Sequence, residues 1–386
     1  MTLYNAEHLK RKEYLVDLCQ EKQILKNLKK QDNAENARMK RFLDMPDLSR
    51  THGSPIYEIV KRVKSIPLLS NFDIITIPEI VPADISFDFF DFPADHPARS
   101  RSDTYYADDK NILRTHDTVF WYYYLNLPEI KERIKNKESF GTLCWGKVYR
   151  KDEIDRRHMN VFHQLGGWFL IPDEQGELKL DELKEVLSDI VKSVFGDVEI
   201  RFNEDIFPYT DPSLEIEVML NGEWVEILGG GMPKKSVLKK MGVEGYNGWA
   251  FGFGIDRLAI ISMDLPDIRL LWSDDDRVKK QLILGNVFKE VSKYPPITRD
   301  ISFIVNKTFI PNDYFDLIRD LGGDLIEEVA LLDKYDNSEK FGEDNISYTY
   351  RITYRSMDHT LKTEEIDFIQ KQIIDATEGK FSGEVR

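Results

Sequence analysis

Cysteine is nearly absent: the 386 residues hold two, Cys19 and Cys144. Two isolated thiols exclude a disulfide scaffold and a cysteine-based zinc site. Histidine offers no substitute. His158 and His163 lie five apart without neighbouring ligands at metal spacing, so no resident metal centre is expected. Long apolar runs are missing as well. The longest, around 121–127, is far below the ~20 residues of a membrane span, and no membrane partner is expected. The opening MTLYNAEHLKRKEYLVDLC mixes acids with bases and looks like neither a signal peptide nor an acid-poor transit peptide. The expected compartment is cytoplasmic, with the mitochondrial matrix as the alternative. Finally, there is no GxGxxG, no GxxxxGK[ST] and no βαβ rhythm, which argues against Rossmann and P-loop nucleotide sites.

What is present is ordinary globular composition, 41% apolar and 31% charged, long enough for two or three domains. The net charge of -15 argues against indiscriminate polyanion binding. Its distribution is uneven. Residues 1–45 carry ten Lys/Arg against seven Asp/Glu, a balance of +3, and residues 287–386 carry thirteen against twenty, a balance of -7. An RNA partner would have to be met by local patches.

The fold class read from the pattern is α+β. Residues 4–31, with Leu9, Leu15, Leu18, Leu25 and Leu28, read as one helix, and 31–42 as a weak helix or linker, together an N-terminal extension over 1–49. Between 50 and 280, helical stretches at 56–63 and 180–194 alternate with β-prone runs at 72–77, 168–171, 198–202, 214–220 and 224–228. Asn221-Gly222 joins the last two as a hairpin, so antiparallel pairing is expected. A linker at 281–292 leads to a second domain, 293–386. There Ile346, Tyr348, Tyr350, Ile352 and Tyr354 alternate with polar residues, a period of two. The order strand 300–305, helix 312–321, strand 325–335, strand 346–354, helix from 363 and strand 380–386 is βαββαβ, a ferredoxin-like arrangement.

Three clusters in the larger domain concentrate arginine, aromatics and glycine: Asp95–Arg99 with Asp103 to Tyr105 and Leu113 to His116; Val148 to Asp152 continuing to Gln164; and Gly248 to Arg257. Singly, each has a structural reading: Arg150 as a surface arginine, the glycines as a bulged strand. Together they suit a nucleoside triphosphate held outside a P-loop, by guanidinium groups for phosphate charge, an aromatic plate for the base and glycines for close approach.

In register, HPAR-x3-DT, LRTH, VYR-x7-H-x3-FHQ, the Phe207–Thr210 segment, EILGGGM, GWAFGFGIDRLA and PDIRLLWSDD resemble the class II phenylalanyl-tRNA synthetases, specifically the single-chain mitochondrial type with a C-terminal ferredoxin-fold anticodon-binding domain. The resemblance covers about residues 50–386. It implies a mixed, mainly antiparallel sheet flanked by helices, and ATP-dependent charging of tRNA(Phe) with phenylalanine at the 2′-hydroxyl, with Mg2+ bridging the phosphates. By position, Pro78 would mark motif 1. Arg150 would bridge the amino-acid carboxylate and the α-phosphate, and Arg257 would hold the γ-phosphate. Asp152 and His158 would lie near ATP, and Phe162 would stack on adenine. His116, Thr118, Gln164, Phe207, Tyr209 and Ala250 would surround the amino acid. Arg351 and Arg355 would meet tRNA, with the basic stretch 10–30 a second patch, and the type implies a monomer.

The chain departs from that pattern. Tyr209 stands for a phenylalanine, Asp117-Thr118 for Thr-Ser, Asp152 and Asp256 for glutamates, and Gly166 for a glutamate that receives the substrate ammonium. Asp117 is the candidate to replace that lost carboxylate; a water in its place is the alternative. No segment resembles the β-subunit editing module, so tyrosine misactivation is expected, because an apolar pocket rejects an added hydroxyl weakly. Two other functions stay open: a class II-like ligase for a different or ring-substituted amino acid, and a non-catalytic tRNA-binding paralogue.

Overall fold

A computed structural model describes residues 10–30, 33–151, 155–220 and 222–386. The chain divides into two compact units, Met1–Phe288 and Lys289–Arg386.

The larger unit is built on an eight-stranded sheet. Its strands are β1 (Glu13–Leu15), β2 (Asp73–Thr76), β3 (Phe140–Tyr149), β4 (Val161–Pro172), β5 (Ile200–Asp205), β6 (Thr210–Leu220), β7 (Glu223–Pro233) and β8 (Tyr246–Gly254). Their spatial order is β1-β2-β3-β4-β8-β7-β6-β5. Only β1·β2 and β2·β3 are parallel. The rest pair antiparallel, in the mixed sheet expected. Every residue of β3 is buried, as suits a central strand covered on both faces.

The N-terminal expectation needs correcting. Within 4–31, residues 1–9 lie outside the described part, Glu13–Leu15 form strand β1, and helix α1 (Cys19–Lys30) starts only afterwards. The Lys12 N–H donates to Asp73 at 2.8 Å and Val16 N–H to the Thr76 carbonyl at 3.0 Å. Pairing with the exposed side of β2 thus overrides a leucine spacing that was only nearly helical. The following segment is a true helix, α2 (Ala34–Asp44), capped by Asn33, which accepts from the Asn36 N–H at 2.8 Å. Leu28, Met39 and Phe42 are buried with Ile80, Tyr105 and Tyr149.

Helices α3 (Pro55–Val63), α5 (Leu180–Phe195) and α6 (Ile255–Met263) pack with one another and against the sheet. Between α3 and α5 comes the short helix α4 (Phe120–Leu125). In α5, Leu183, Val186, Leu187, Ile190, Val191 and Val194 are buried at helical spacing. Gly196 ends it at φ +74°, a conformation that disfavours other residues.

The smaller unit holds β9 (Ile297–Asn306), α7 (Pro311–Gly322), β10 (Ile326–Tyr335), β11 (Asn345–Tyr354), α8 (Thr363–Phe381) and β12 (Glu384–Val385). The sheet order β10-β11-β9-β12 is ferredoxin-like. The period-two residues of β11 are buried among Phe303, Tyr314, Ile318, Ile366 and Ile373. A short helix, Ser338–Phe341, was not foreseen.

Candidate active site

Register places the site. Along β4, Phe162, Gln164 and Gly166 fall on one face; across to β8, Gln164 opposes Gly254, Gly166 opposes Gly252 and Trp168 opposes Ala250. Over this face opens a cavity of about 1100 Å³. Two glycines of β7 shape its floor. A Cβ at Gly229 would stand 2.9 Å from the Phe207 ring, and one at Gly231 would stand 2.7 Å from Thr210. Their hydrogens let the 207–210 segment lie directly on the strand.

His116, Thr118, Arg150, His158, Phe162, Gln164, Phe207, Tyr209, Ala250 and Arg257 all line this one cavity. Asp152 lies outside the described residues. Arg150, just beyond β3, donates through Nε to the Thr115 carbonyl at 3.1 Å, and its guanidinium carbon is 5.3 Å from the Phe162 ring centre. Arg257 sits in the first turn of α6 with a half-exposed side chain, 3.8 Å from Glu226. His158 is exposed, and its Nδ1 lies 2.9 and 3.0 Å from the two oxygens of Asp155. That hydrogen bond is the main reason the Asp155 carboxyl is held below its ordinary value.

The cavity also has an aromatic wall. The Phe207 and Tyr209 rings stack with centres 6.1 Å apart and planes 17° apart, and Tyr209 meets Trp121 edge-on at 5.8 Å. Burial pushes the Tyr209 hydroxyl up to about 12, so it is a neutral phenol at physiological pH. The His116 Nε2–H donates to the Ser86 carbonyl at 3.1 Å, while Nδ1 is buried with no hydrogen-bond partner among the described residues. Burial, then the Arg150 charge, lowers this histidine to about 4. Gln164 Oε1 accepts the Asp117 N–H at 3.0 Å. Asp117 itself is buried, and burial raises its carboxyl to about 7 against the pull of Arg114, of the Asp117 and Thr118 backbone amides and of Arg150.

Asp256 is tied to a strand residue. It lines the cavity beside Arg257, yet it is buried and its carboxylate accepts both the backbone N–H and the ring Nδ1–H of His163. The other ring nitrogen of His163 accepts the Leu48 N–H at 3.0 Å. Asp256 therefore positions its neighbours. Sequence reasoning missed Trp121 and Glu226 as lining residues. Glu226 opens the EILGGGM run, but strict alternation with Gly229 and Gly231 would put it on the other face; a register shift of β7 against β6 falls between it and Leu228.

Arg351 and Arg355 belong to the smaller unit and have acidic partners. Arg351 makes two bonds of 2.7 Å to Asp300, and its side chain is 47% exposed. Arg355 contacts Glu327 at 2.9 and 3.0 Å and is only 14% exposed.

Comparison with known proteins gives two family matches. Residues 41–282 match the class II core domain (F) of tRNA synthetases, and residues 292–386 match the ferredoxin-fold anticodon-binding domain. The chain is 38% identical over 318 residues to the chloroplastic/mitochondrial phenylalanine–tRNA ligase of Arabidopsis thaliana, covering 80% of this chain and 71% of that one. It is 35% identical over 382 residues to the mitochondrial enzyme of Mus musculus, covering 85% and 81%. The α subunit of the Nostoc punctiforme enzyme is 34% identical over 241 residues, covering 61% and 69%.

Proposed function

This chain belongs to the phenylalanine–tRNA ligase family, and on that premise we propose that it joins phenylalanine to tRNA(Phe) through a phenylalanyl adenylate formed in the cavity above β4 and β8. The observation that carries the reading is that one cavity is lined both by Arg150, Phe162 and Arg257 and by the stacked Phe207–Tyr209 pair.

The substrate carboxylate attacks the α-phosphorus of ATP, and the bond to the bridging oxygen breaks to release pyrophosphate. Arg150 bears the charge shared between carboxylate and α-phosphate, Arg257 bears that of the leaving phosphates, and Phe162 offers adenine a ring face. Guanidinium groups suit this task because they stay charged and match phosphate geometry. His158, held toward Asp155, supplies a further donor near the phosphates. His116, Thr118, Gln164 and Ala250 frame the amino acid. The 2′-hydroxyl of the tRNA then attacks the acyl carbon, and AMP departs.

Mg2+ takes oxygen ligands and retains several waters, so it needs few from protein when phosphates are present. Glu226, lining the cavity 3.8 Å from Arg257, is the carboxylate placed to give one. When bound, the ion would neutralise phosphate charge.

The same proposal assigns adenylate chemistry to residues 50–280 and anticodon contact to 293–386, with 281–292 between them and 1–49 an extension. It takes the active form to be a monomer. No helix among the described residues is long and apolar enough to cross a membrane. The cytoplasmic expectation gives way to an organellar one, because the relatives from Arabidopsis thaliana and Mus musculus are named for chloroplasts and mitochondria.

ATP–pyrophosphate exchange with each of the twenty amino acids and meta-tyrosine tests this function. Selective exchange with phenylalanine is expected. Arg150→Ala should lower it at least a thousandfold with an unchanged circular dichroism spectrum. Exchange with another amino acid alone, or none by a folded sample, would overturn the proposal.

A further inference from the structure

We propose that Asp117 is the acceptor for the substrate's α-ammonium group, its carboxylate occupying room that Gly166 leaves open. This rests on the amino-acid site proposed above.

Three observations converge. Oδ2 of Asp117 is buried without a hydrogen-bond partner among the described residues, although a buried carboxyl oxygen normally has one. A Cβ built at Gly166 would stand 2.3 Å from that same oxygen, so the carboxylate lies where any side chain on this strand position would begin. Oδ1 is 3.6 Å from the Cβ position of Gly252, which faces Gly166 across the β4–β8 pair. Two backbone glycines thus make the niche, and one acid fills it.

The other acids around the cavity are differently engaged or placed: Glu223 and Asp264 are exposed to solvent. Asp256 is taken by His163, and Glu226 is half-exposed beside Arg257. Asp117 faces Tyr209 closely enough to raise the phenol further, and its N–H holds Gln164. A cation seated at the aromatic wall therefore meets this carboxylate. An orphaned oxygen is costly while the site is empty and is satisfied by an incoming ammonium, so affinity depends on the positive charge.

The carboxyl is surrounded by Arg114 on its own segment, Arg150 beyond β3, Cys144 on β3, His116 beside it and Tyr209 opposite. Burial of Asp117 outweighs the two arginines and sets its midpoint at about 7. Below that pH the acid must lose a proton before it can accept an ammonium, so affinity should fall up to tenfold per unit.

The test compares L-phenylalaninol with 3-phenylpropan-1-ol, which lacks the amine, by calorimetry on the full chain, alongside phenylalanine exchange kinetics. The protein should prefer the amine at least 30-fold at pH 8, and the preference should shrink below pH 7. Asp117→Asn should reduce it below threefold at every pH and raise the phenylalanine KM at least 30-fold with kcat within threefold. Gly166→Ala, pressing on Oδ2, should act in the same direction. In Asp117→Thr/Gly166→Glu the carboxylate is moved to the opposite wall, and KM should return to within tenfold of the parent. If Asp117→Asn keeps the amine preference, or, where that variant does not fold, if the parent's preference ignores pH, the inference fails. Amine preference through Asp117 without phenylalanine exchange would instead remove the functional reading and keep this one.

Discussion

The carboxylate of Asp256 accepts both the backbone N–H and the ring N–H of His163, joining the first turn of α6 to the start of β4. Arg257 is the next residue on one side of this tie, and Phe162 and Gln164 flank it on the other. His163 is completed by the Leu48 N–H and stacks on Trp272, ring centres 5.6 Å apart. Asp256→Ala would strand two buried donors, a loss of about 2–4 kcal/mol. Urea unfolding should show it, together with a raised KM for ATP because both arms of the nucleotide site loosen. Asp256→Asn keeps one acceptor and should lie between the parent and the alanine variant in both measurements.

His116 and Asp117 are adjacent and should pull stability in opposite directions with pH. The histidine midpoint falls from 6.5 to about 4 on folding, so the unfolded chain binds more protons between those values and stability is lost as pH falls through them. The Asp117 midpoint rises from 3.8 to about 7, so the folded chain binds more protons there and stability is lost as pH rises through that window. Asp117→Asn removes only the second effect. The variant should melt higher than the parent at pH 8, by an amount on the order of 2–4 kcal/mol when converted to stability, with the gap closing toward pH 4. Denaturant titrations of both proteins from pH 4 to 8 measure this.

The smaller unit was legible in sequence because β11 alternates strictly and covers one helical layer, leaving period two undiluted. The larger sheet was legible only in pieces. β3 and β8 are buried on both faces, so alternation vanishes and Gly248 to Gly254 could be read as a bulge as readily as a strand. At the N-terminus, Glu13–Leu15 are too few to show a period, and their state is decided by Asp73 and Thr76, some sixty residues away. In the site, side chains that define the cavity came from motif positions. What spacing could not supply was direction: Asp256 turns to His163, and Gly166 matters through the Asp117 oxygen that a side chain there would strike.

Arg351 offers a way to separate the two halves of the reaction. It lies on the face of β11 opposite the buried tyrosines, bonded to Asp300 and nearly half-exposed. Arg351→Glu should weaken tRNA binding severalfold and lower the dependence of log affinity on log salt by about one ion. ATP–pyrophosphate exchange should be unchanged, since that step needs no tRNA. Arg355→Glu should also cost stability in the smaller unit, because its guanidinium is mostly buried against Glu327 and the Tyr294 carbonyl. Filter binding at several salt concentrations and thermal melting distinguish the two variants.

Ala250 should set the size limit of the amino-acid pocket. It lines the cavity at 4% exposure, opposite Trp168 across β4 and Gly231 across β7. Ala250→Val adds two carbons to this wall and should raise the phenylalanine KM at least tenfold, in line with the roughly 1–3 kcal/mol attached to one methylene in a hydrophobic pocket. Ala250→Gly removes one carbon and should relax rejection of tyrosine, whose extra hydroxyl an apolar wall excludes poorly. The ratio of tyrosine to phenylalanine exchange should therefore rise about tenfold or more in the glycine variant. If the valine variant accepts phenylalanine unchanged while the glycine variant keeps the parent's discrimination, the ring must enter the cavity from another side, and the Phe207–Tyr209 pair would then not be its binding surface.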